Sequence, residues 1–268
     1  MKKIIKSLMP PIIHDIIKKL KISPHGWYGD YNNWEAATQA AIGYDTDEIL
    51  YKVRESLLQV KNGNAIYERD SVLFNEIQYS WPLLSGLMLA AAHFGGVLHV
   101  LDFGGSLGST YYQNKKFLDN LKHVSWNIVE QKKFIDIGKH DFENEQIHFY
   151  YDIESCIKYE HPNTLVMSSV LQYIENPYEL LDAIFLYEFD YIIIDRTSFC
   201  TENRNKIKLQ IVPSKIYNAS YPCWFFDEKY FYQYFLSKKY SVIEIFEGAD
   251  GSGHDYKFYG VIFKKNVL

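Results

Sequence analysis

The sequence predicts an α/β fold built on a largely parallel sheet, with an N-terminal helical cap and a C-terminal antiparallel hairpin. Three observations predict it. Short apolar runs alternate with helical patterns after residue 96, a glycine-rich turn follows the first run, and the last two runs are joined by a Gly/Asp/Ser-rich turn without a helix. Together they describe a Rossmann-like sheet, with the cap over residues 1–95 and the sheet domain over residues 96–268.

The candidate strands and helices alternate along the chain. Five apolar runs are candidate parallel strands: 97–101, 124–129, 147–151, 164–167 and 191–194. Helical patterns lie between them at about 109–121, 131–141, 153–159 and 177–187. Such alternation is typical of βαβ units with right-handed crossovers. The closing hairpin is predicted over 241–246 and 258–263, joined by a turn from Gly248 to Asp255.

The N-terminal part is predicted to be helical after a basic start. Residues 1–21 carry six lysines and one acid among apolar residues at near-helical spacing, and Pro10 and Pro11 should divide them into two helices. They are either an amphipathic element for an anionic membrane or acidic partner, or a helix packed on the domain with solvated lysines. Residues 25–31 are predicted to be a turn-rich linker. Two helices should follow, one starting at Asp45 or Thr46 and one over 71–94 that Pro82 kinks or divides.

Net charge, cysteine content and residue spacing argue against several classes of protein. A net charge of −5 in 268 residues gives no sign of nucleic-acid binding. The three cysteines form no C-x-x-C pair, and no His/Asp/Glu cluster has metal-ligand spacing, so no metal is expected. The sparse thiols predict a reducing cytoplasm, and we expect neither a signal peptide nor a membrane span. The location predicted is therefore cytoplasmic, with residues 1–21 as a candidate peripheral contact at the inner membrane.

The glycine-rich turn is the main candidate for a cofactor site. Asp102 ends the first strand, Gly104, Gly105 and Gly108 follow, and a helix then begins. Glycines let a backbone turn sharply and approach a ligand, and the helix N-terminus offers unpaired N–H groups. Glu130 ends the second strand and can accept both hydroxyls of a ribose. The alternative is that the glycines only let the helix pack on the sheet, which leaves Glu130 unexplained.

Other strand ends should meet the same edge of the sheet, where α/β folds bind ligands. Asp152 either accepts the adenine amino group or caps the next helix, and Ile153 is placed to cover the ring. Tyr79 belongs to the cap and either closes over the cofactor or packs in the core. The predicted cofactor-binding residues beyond the glycine turn and Glu130 are Gln131, Asp152, Ile153, Ser168, Ser169, Gln172 and Tyr79.

Four sequence blocks resemble a known family. They lie at residues 68–82, 101–109, 168–173, and 195–197 with 219–224. The family is that of S-adenosylmethionine-dependent methyltransferases found with bacterial capsule and O-antigen genes. The resemblance implies a class I methyltransferase fold, S-adenosylmethionine as cofactor and a role in surface polysaccharide biosynthesis, and the terminal hairpin suits that fold. Ser106 departs from the superfamily pattern, because it stands where a middle glycine is preferred.

The acceptor side should follow the fifth strand. Arg196 either holds an anionic acceptor bidentately or forms a buried pair with Asp195. The insertion 198–226 is either a lid or sugar platform, with Gln210, Tyr217, Tyr221 and Trp224 among its residues, or an ordinary packed connection. His254, between glycines of the terminal turn, is nominated as a general base. The candidate catalytic residues are thus His254, Asp195 and Arg196.

Three functions follow as hypotheses. The first is an S-adenosylmethionine-dependent methyltransferase acting at oxygen on a small carbohydrate- or phosphate-like acceptor, either a sugar hydroxyl or a phosphorus oxyanion. The second is an NAD-dependent sugar oxidoreductase, against which the terminal hairpin argues. The third is a non-catalytic partner protein that keeps the fold and recruits other proteins through its basic N-terminus.

Overall fold

The computed structural model describes residues 25–43, 46–214, 216 and 218–266. The basic segment 1–21, the proposed cap residue Asp45 and the insertion residue Tyr217 lie outside the described residues. Within the described residues no helix combines the length and apolar character needed to cross a membrane.

The N-terminal part holds three strands as well as helices. Its elements are β1 (Gly26–Tyr31), α1 (Trp34–Ala40), α2 (Thr46–Lys61), β2 (Tyr67–Arg69), β3 (Val72–Phe74) and α3 (Trp81–His93). The predicted linker over residues 25–31 is wrong, because this segment is β1 and pairs antiparallel with a strand about 180 residues later. The predicted helix over 71–94 is wrong in its first part, because Val72 to Phe74 form a hairpin strand with Tyr67 to Arg69. Pro82 lies in the first turn of α3, where its missing N–H costs nothing, and so begins the helix instead of kinking it.

The alternating elements follow the prediction closely. They are β4 (Val97–Phe103), α4 (Ser109–Leu118), β5 (His123–Val129), α5 (Lys132–Asp141), β6 (Ile147–Tyr150), α6 (Ile153–Glu160), β7 (Thr164–Ser168), α7 (Pro177–Phe185) and β8 (Tyr191–Cys200). A short 3₁₀ turn, Leu171–Tyr173, follows β7. All five predicted parallel strands are confirmed, and β8 continues six residues past the predicted end.

The last third of the chain extends the sheet. Its elements are β9 (Lys206–Ile211), β10 (Ser220–Asp227), α8 (Glu228–Ser237), β11 (Tyr240–Ser252) and β12 (Tyr256–Lys265). The predicted hairpin is confirmed, although its strands are longer and the turn shrinks to residues 253–255. The sequence patterns did not predict α8. The insertion 198–226 supplies the end of β8 and two further strands.

Ten of the described strands form one sheet, and its order positions the site. The parallel strands run β6, β5, β4, β7, β8, and β12 then pairs antiparallel with β8 and with β11. Beyond the end of β7, the far end of β8 pairs with β10 instead, through Phe226 and Asp227. Strands β10, β9 and β1 therefore extend the sheet beyond the carboxyl end of β7. Buried aliphatic and aromatic side chains cover both faces of the sheet, in two large clusters.

Candidate active site

A cavity of about 1280 Å³ opens at the carboxyl edge of the parallel strands. Its walls come from the ends of β4, β5, β7 and β8, from the β2–β3 hairpin with the residues before α3, and from β1, β9 and β10. Single small-molecule sites usually occupy roughly 300–1,000 Å³. The cavity therefore has room for a cofactor and an acceptor side by side.

The glycine turn after β4 forms part of the floor and is built for close contacts. Gly104 has a φ of +71°, and a Cβ there would lie 2.4 Å from Cγ2 of Val170. Gly108 has a φ of +105°, and a Cβ there would lie 2.7 Å from Cδ1 of Ile147. Because L side chains rarely adopt such φ values and no space exists for a Cβ, these two positions require glycine. Gly104 lines the cavity, whereas Gly108 fits the start of α4 against the sheet.

Asp102 lies beneath the turn. Its carboxylate would be 2.5 Å from a Cβ on Gly105, and its Oδ2 accepts a hydrogen bond of 3.0 Å from Nε1 of Trp126. The side chain is fully buried, and Oδ1 has no partner. Burial raises the pKa of Asp102 to about 7. A buried oxygen without a partner, at a residue that lines the cavity, fits a cationic or proton-donating ligand above the turn.

Glu130 holds the next strand end against the turn. Its carboxylate accepts the backbone N–H of Gln131 at 2.6 Å and also that of Ser106. Burial raises the pKa of Glu130 even so. Ser106 adopts a φ of +55°, so this serine takes the left-handed conformation that a glycine usually supplies. The departure from the superfamily pattern therefore keeps the backbone shape of the turn.

At the end of β6, Asp152 caps α6. Its Oδ1 accepts the backbone N–H of Ser155 at 2.7 Å, and its Oδ2 accepts the Ser155 hydroxyl at 3.0 Å. Of the two alternatives open in the sequence, the capping bond is the one observed. Asp152 and Ile153 both line the cavity next to Gln131.

The loop after β7 crosses the middle of the cavity. Ser168 and Ser169 line it, and the backbone N–H of Ser169 donates to the carbonyl of Asp195 at 3.0 Å. Gln172 is fully buried outside the lining, and its Nε2 donates to the carbonyl of Arg196 at 3.0 Å. Gln172 thus ties the loop to β8 and does not face the cavity.

Asp195 lies on β8 with its carboxyl group in the cavity wall. The side chain is 3% exposed, and it accepts the backbone N–H of Arg196 at 2.9 Å and the hydroxyl of Ser80. Burial raises the pKa of Asp195 to about 6, against the opposing effect of the Arg196 charge. A carboxyl with that pKa is largely ionised at neutral pH and yet more basic than an ordinary carboxylate, which suits a general base.

Arg196 joins three distant segments. Its Nε donates to Asp250 of β11 at 2.8 Å, and its Nη2 donates to Asp70 of the β2–β3 turn at 2.8 Å. The alternatives from the sequence were an anion clamp and a pair with Asp195, but the ion-pair partners are these two other carboxylates. We call this set the Arg196 latch: Arg196, Asp70 and Asp250.

Glu68 is a site residue that the sequence patterns did not single out, although it lies in the first resembling block. It is 2% exposed and lines the cavity. Its Oε1 accepts the N–H of Ser71 at 2.7 Å, and its Oε2 accepts the hydroxyl of Ser109 at 2.6 Å. Glu68 therefore fixes the β2–β3 hairpin to the first turn of α4. Only its place beside Arg69 and Asp70 in an unusual string could have pointed to it.

Most predicted site residues meet at this cavity. Those that line it are Asp102, Gly104, Gly105, Glu130, Gln131, Asp152, Ile153, Ser168, Ser169, Tyr79, Asp195 and Arg196. Gly108, Gln172 and His254 are not in the lining, and His254 is exposed in the β11–β12 turn. Tyr79 packs with its ring centroid 4.8 Å from that of Trp81, at the wall that the cap contributes.

The lining is strongly acidic. Eight carboxyl groups but only two guanidinium groups line the cavity: Glu68, Asp70, Asp102, Glu130, Asp152, Asp195, Glu247 and Asp250 against Arg69 and Arg196. Burial raises the pKa of four of these carboxyl groups, and the other four are ionised at neutral pH. Because low-dielectric walls strengthen the field of such charges, the cavity favours cationic or neutral ligands over anionic ones. Among the described residues, no three His, Cys, Asp or Glu side chains are grouped to hold a metal ion.

Comparison with solved structures identifies the architecture. The N-terminal domain of EvdMO1, solved with S-adenosylhomocysteine and D-fucose, is 12% identical, with a TM-score of 0.51 over 84% of this chain and 98% of that chain. The same domain with S-adenosylhomocysteine alone gives a TM-score of 0.50, with 12% identity over the same shares of both chains. The fold is that of the class I methyltransferases.

A further methyltransferase structure is similar with a lower TM-score. An S-adenosylmethionine-dependent methyltransferase from Clostridium acetobutylicum is 7% identical, with a TM-score of 0.47 over 71% of this chain and 93% of that chain. The sequence matches no protein-family model and no curated protein. The glycine turn after β4 and the acid after β5 both lie at the carboxyl edge of the parallel strands.

Proposed function

We propose that this protein is an S-adenosylmethionine-dependent methyltransferase that methylates a hydroxyl group of a small polar acceptor. The observation that carries the proposal is the acidic lining of a large cavity at the cofactor edge of a class I fold. S-Adenosylmethionine carries a positive sulfonium and a positive ammonium group, which such a lining attracts. The link with surface polysaccharide biosynthesis rests on the resemblance of the four sequence blocks.

The same lining argues against the NAD-dependent oxidoreductase. A dinucleotide would bring the two negative charges of its pyrophosphate to the N-terminus of the helix after the glycine turn. Here Oε2 of Glu68 is 2.6 Å from the hydroxyl of Ser109, the first residue of that helix. The Glu68 carboxyl group, whose pKa burial raises to about 7, would have to become or stay protonated beside the pyrophosphate, which would weaken dinucleotide binding at and above neutral pH.

The residues divide between holding the cofactor and serving the acceptor. We assign the backbone of Gly104 and Gly105 to the amino acid part of S-adenosylmethionine, Glu130 to the ribose hydroxyls and Ile153 to the adenine ring. When bound, S-adenosylmethionine supplies an electrophilic methyl group that passes from sulfur to the acceptor oxygen and leaves S-adenosylhomocysteine. Ser169 and Asp195, which share a hydrogen bond, border the place where the acceptor must lie.

Asp195 is the general base of this proposal. The acceptor hydroxyl forms a C–O bond as the C–S bond breaks, and its proton passes to the carboxylate of Asp195. The Ser80 hydroxyl and the Arg196 backbone N–H hold that carboxylate in place. His254, nominated from sequence, is exposed in the turn between β11 and β12 and does not line the cavity.

The test is a turnover assay with methyl-labelled S-adenosylmethionine and a panel of hydroxyl acceptors. We expect Asp195→Asn to lower kcat by about 100- to 10,000-fold, the usual contribution of a general base, while affinity for S-adenosylhomocysteine changes little. For the wild type, kcat/KM should fall as the pH drops below about 6, because the base becomes protonated. His254→Gln is the matched control and should keep wild-type turnover. Equal activity of Asp195→Asn and the wild type would remove Asp195 from the mechanism, and failure to bind the cofactor would remove the proposed function itself.

A further inference from the structure

Three side chains form a row across the strands that wall the acceptor half of the cavity. Gln210 of β9 lies opposite Trp27 of β1 on one side and opposite Tyr221 of β10 on the other. Residues directly opposite in antiparallel strands point to the same face of the sheet. All three line the cavity, so an amide is flanked there by two aromatic rings. We call this set the Trp27–Gln210–Tyr221 row.

The amide of Gln210 is held in one orientation. The hydroxyl of Tyr173 donates to Oε1 of Gln210 at 2.8 Å, and Tyr173 also packs edge-on against Tyr221, with ring centroids 5.3 Å apart. The carbonyl end of the amide therefore points to Tyr173, and the NH₂ end has two hydrogens to donate. A ligand group against the row must supply lone pairs.

The opposite requirement comes from the carboxylates of the same cavity. Asp195 and Glu247 carry only acceptor oxygens, so a ligand group that contacts either of them must donate a hydrogen bond. An ammonium group has only donors and leaves Gln210 unsatisfied, while a phosphate dianion has only acceptors and would be repelled by the carboxylates. A hydroxyl group both donates and accepts, and it satisfies both.

The cations of the lining leave little for an anionic ligand. The Arg196 guanidinium is already bonded to Asp70 and Asp250, whose two negative charges exceed its single positive charge. The Arg69 guanidinium lies over the ring of Phe74, 5.4 Å from its centroid. A phosphate at Arg196 would have to displace one of its two carboxylates, and a phosphate at Arg69 would lie beside the carboxylates of the same lining.

We propose that the Trp27–Gln210–Tyr221 row binds an uncharged sugar ring, so that the methyl acceptor is a glycosyl unit with no phosphate in the cavity. Aromatic rings pack on the apolar C–H faces of a sugar, and the amide donates to its hydroxyl oxygens. The identification of this sugar as the methyl acceptor rests on the proposed function, whereas the binding of the sugar does not. Methylation would then act either before the sugar is activated as a nucleotide sugar or after glycosyl transfer has removed the nucleotide diphosphate.

The experiment measures binding of full-length protein to an array of glycans, with and without S-adenosylhomocysteine. The array carries neutral mono- and oligosaccharides, sugar 1-phosphates and UDP-sugars. We expect at least one neutral glycan to bind better than every phosphorylated form, and Gln210→Leu to weaken that binding at least tenfold. Gln210→Glu keeps the size and the acceptor for Tyr173 but loses the NH₂ donors, so it should weaken binding as well. Gln59→Leu, on the exposed side of α2, is the control and should bind as the wild type does.

Each result decides the proposal. Preference for sugar phosphates or UDP-sugars, retention of no neutral glycan, or unchanged binding by Gln210→Leu would overturn it. Neutral glycan binding by a protein that ignores S-adenosylhomocysteine would support the sugar site and overturn the methyltransferase. The two proposals therefore fail separately.

Discussion

Burial makes ionisation of the Glu68 carboxyl group unfavourable in the folded protein. It is enclosed between the β2–β3 turn and the first turn of α4, where Ser71 and Ser109 donate to it. Burial nevertheless raises its pKa to about 7, above the ordinary value of 4.5. In the unfolded chain the group ionises near pH 4.5, so ionisation of Glu68 destabilises the folded state progressively as the pH rises from about 4.5 to about 7.

Glu68→Gln should therefore remove a pH-dependent cost. The amide can still accept the Ser71 N–H, and it can donate to the Ser109 hydroxyl. We expect the variant to gain about 1–3 kcal/mol of unfolding free energy relative to the wild type on going from pH 5 to pH 8, the scale of a shift of one to two pKa units. Urea denaturation at both pH values measures this. Parallel pH dependence of the two proteins would contradict the raised pKa of the Glu68 carboxyl group.

Among single residues, the sequence predicted the site residues that directly follow a strand and missed those whose partners are distant in the sequence. Asp102, Glu130 and Asp195 were predicted because each ends an apolar run, and parallel strands bring their carboxyl ends to one edge. Glu68 and Asp250 gave no such signal, since their partners Ser109 and Arg196 are 41 and 54 residues away. His254 was nominated for its chemical type and its flexible neighbours. These properties do not determine whether a turn reaches the cavity.

At the level of elements, the glycine turn after β4 gives the strictest steric prediction. Gly104 and Gly95 both have positive φ, +71° and +64°, but only Gly104 lacks space for a Cβ. Gly104→Ala and Gly95→Ala should each lower the free energy of unfolding by about 1 kcal/mol, because alanine is disfavoured in the left-handed conformation. Only Gly104→Ala should also lose affinity for S-adenosylhomocysteine, at least tenfold, because Val170 or the turn must move. Calorimetric titration compares them, and equal affinities would show that the turn does not contact the cofactor.

The sequence predicted the helices and strands whose pattern lies within their own segment, and it missed those that depend on a distant segment. The five parallel strands are short and largely apolar because both of their faces are buried, and such runs are visible in sequence. Strand β1 was missed because its pairing depends on β9, and Gly26 and Gly29 within it are typical of turns. The β2–β3 hairpin was missed because Asp70 and Ser71 make its turn with φ of +52° and +66°, without a glycine to mark it.

For the whole molecule, the Arg196 latch joins the cap, the parallel sheet and the terminal hairpin. Arg196→Met would leave Asp70 and Asp250 beside each other without their cation, so we expect about 1–3 kcal/mol of lost stability. Amide exchange should accelerate in residues 67–74 before other parts of the molecule. Arg204→Met is the control, because Arg204 pairs with Asp30 at the surface with 56% of its side chain exposed. Such exposed pairs contribute less than about 1 kcal/mol. Faster exchange spread evenly over the molecule would contradict the latch.

The measurement that tests the central claim most directly is calorimetric titration with S-adenosylhomocysteine and, separately, with NADH. The class I fold and its glycine turn predict micromolar binding of S-adenosylhomocysteine, and the acidic cavity predicts no comparable binding of NADH. Glu130→Ala should weaken binding by about 1–3 kcal/mol, the scale for removing one partner of buried polar groups. If the wild type binds NADH more tightly, or binds neither ligand, the cavity does not hold S-adenosylmethionine and the proposed methyltransferase is wrong.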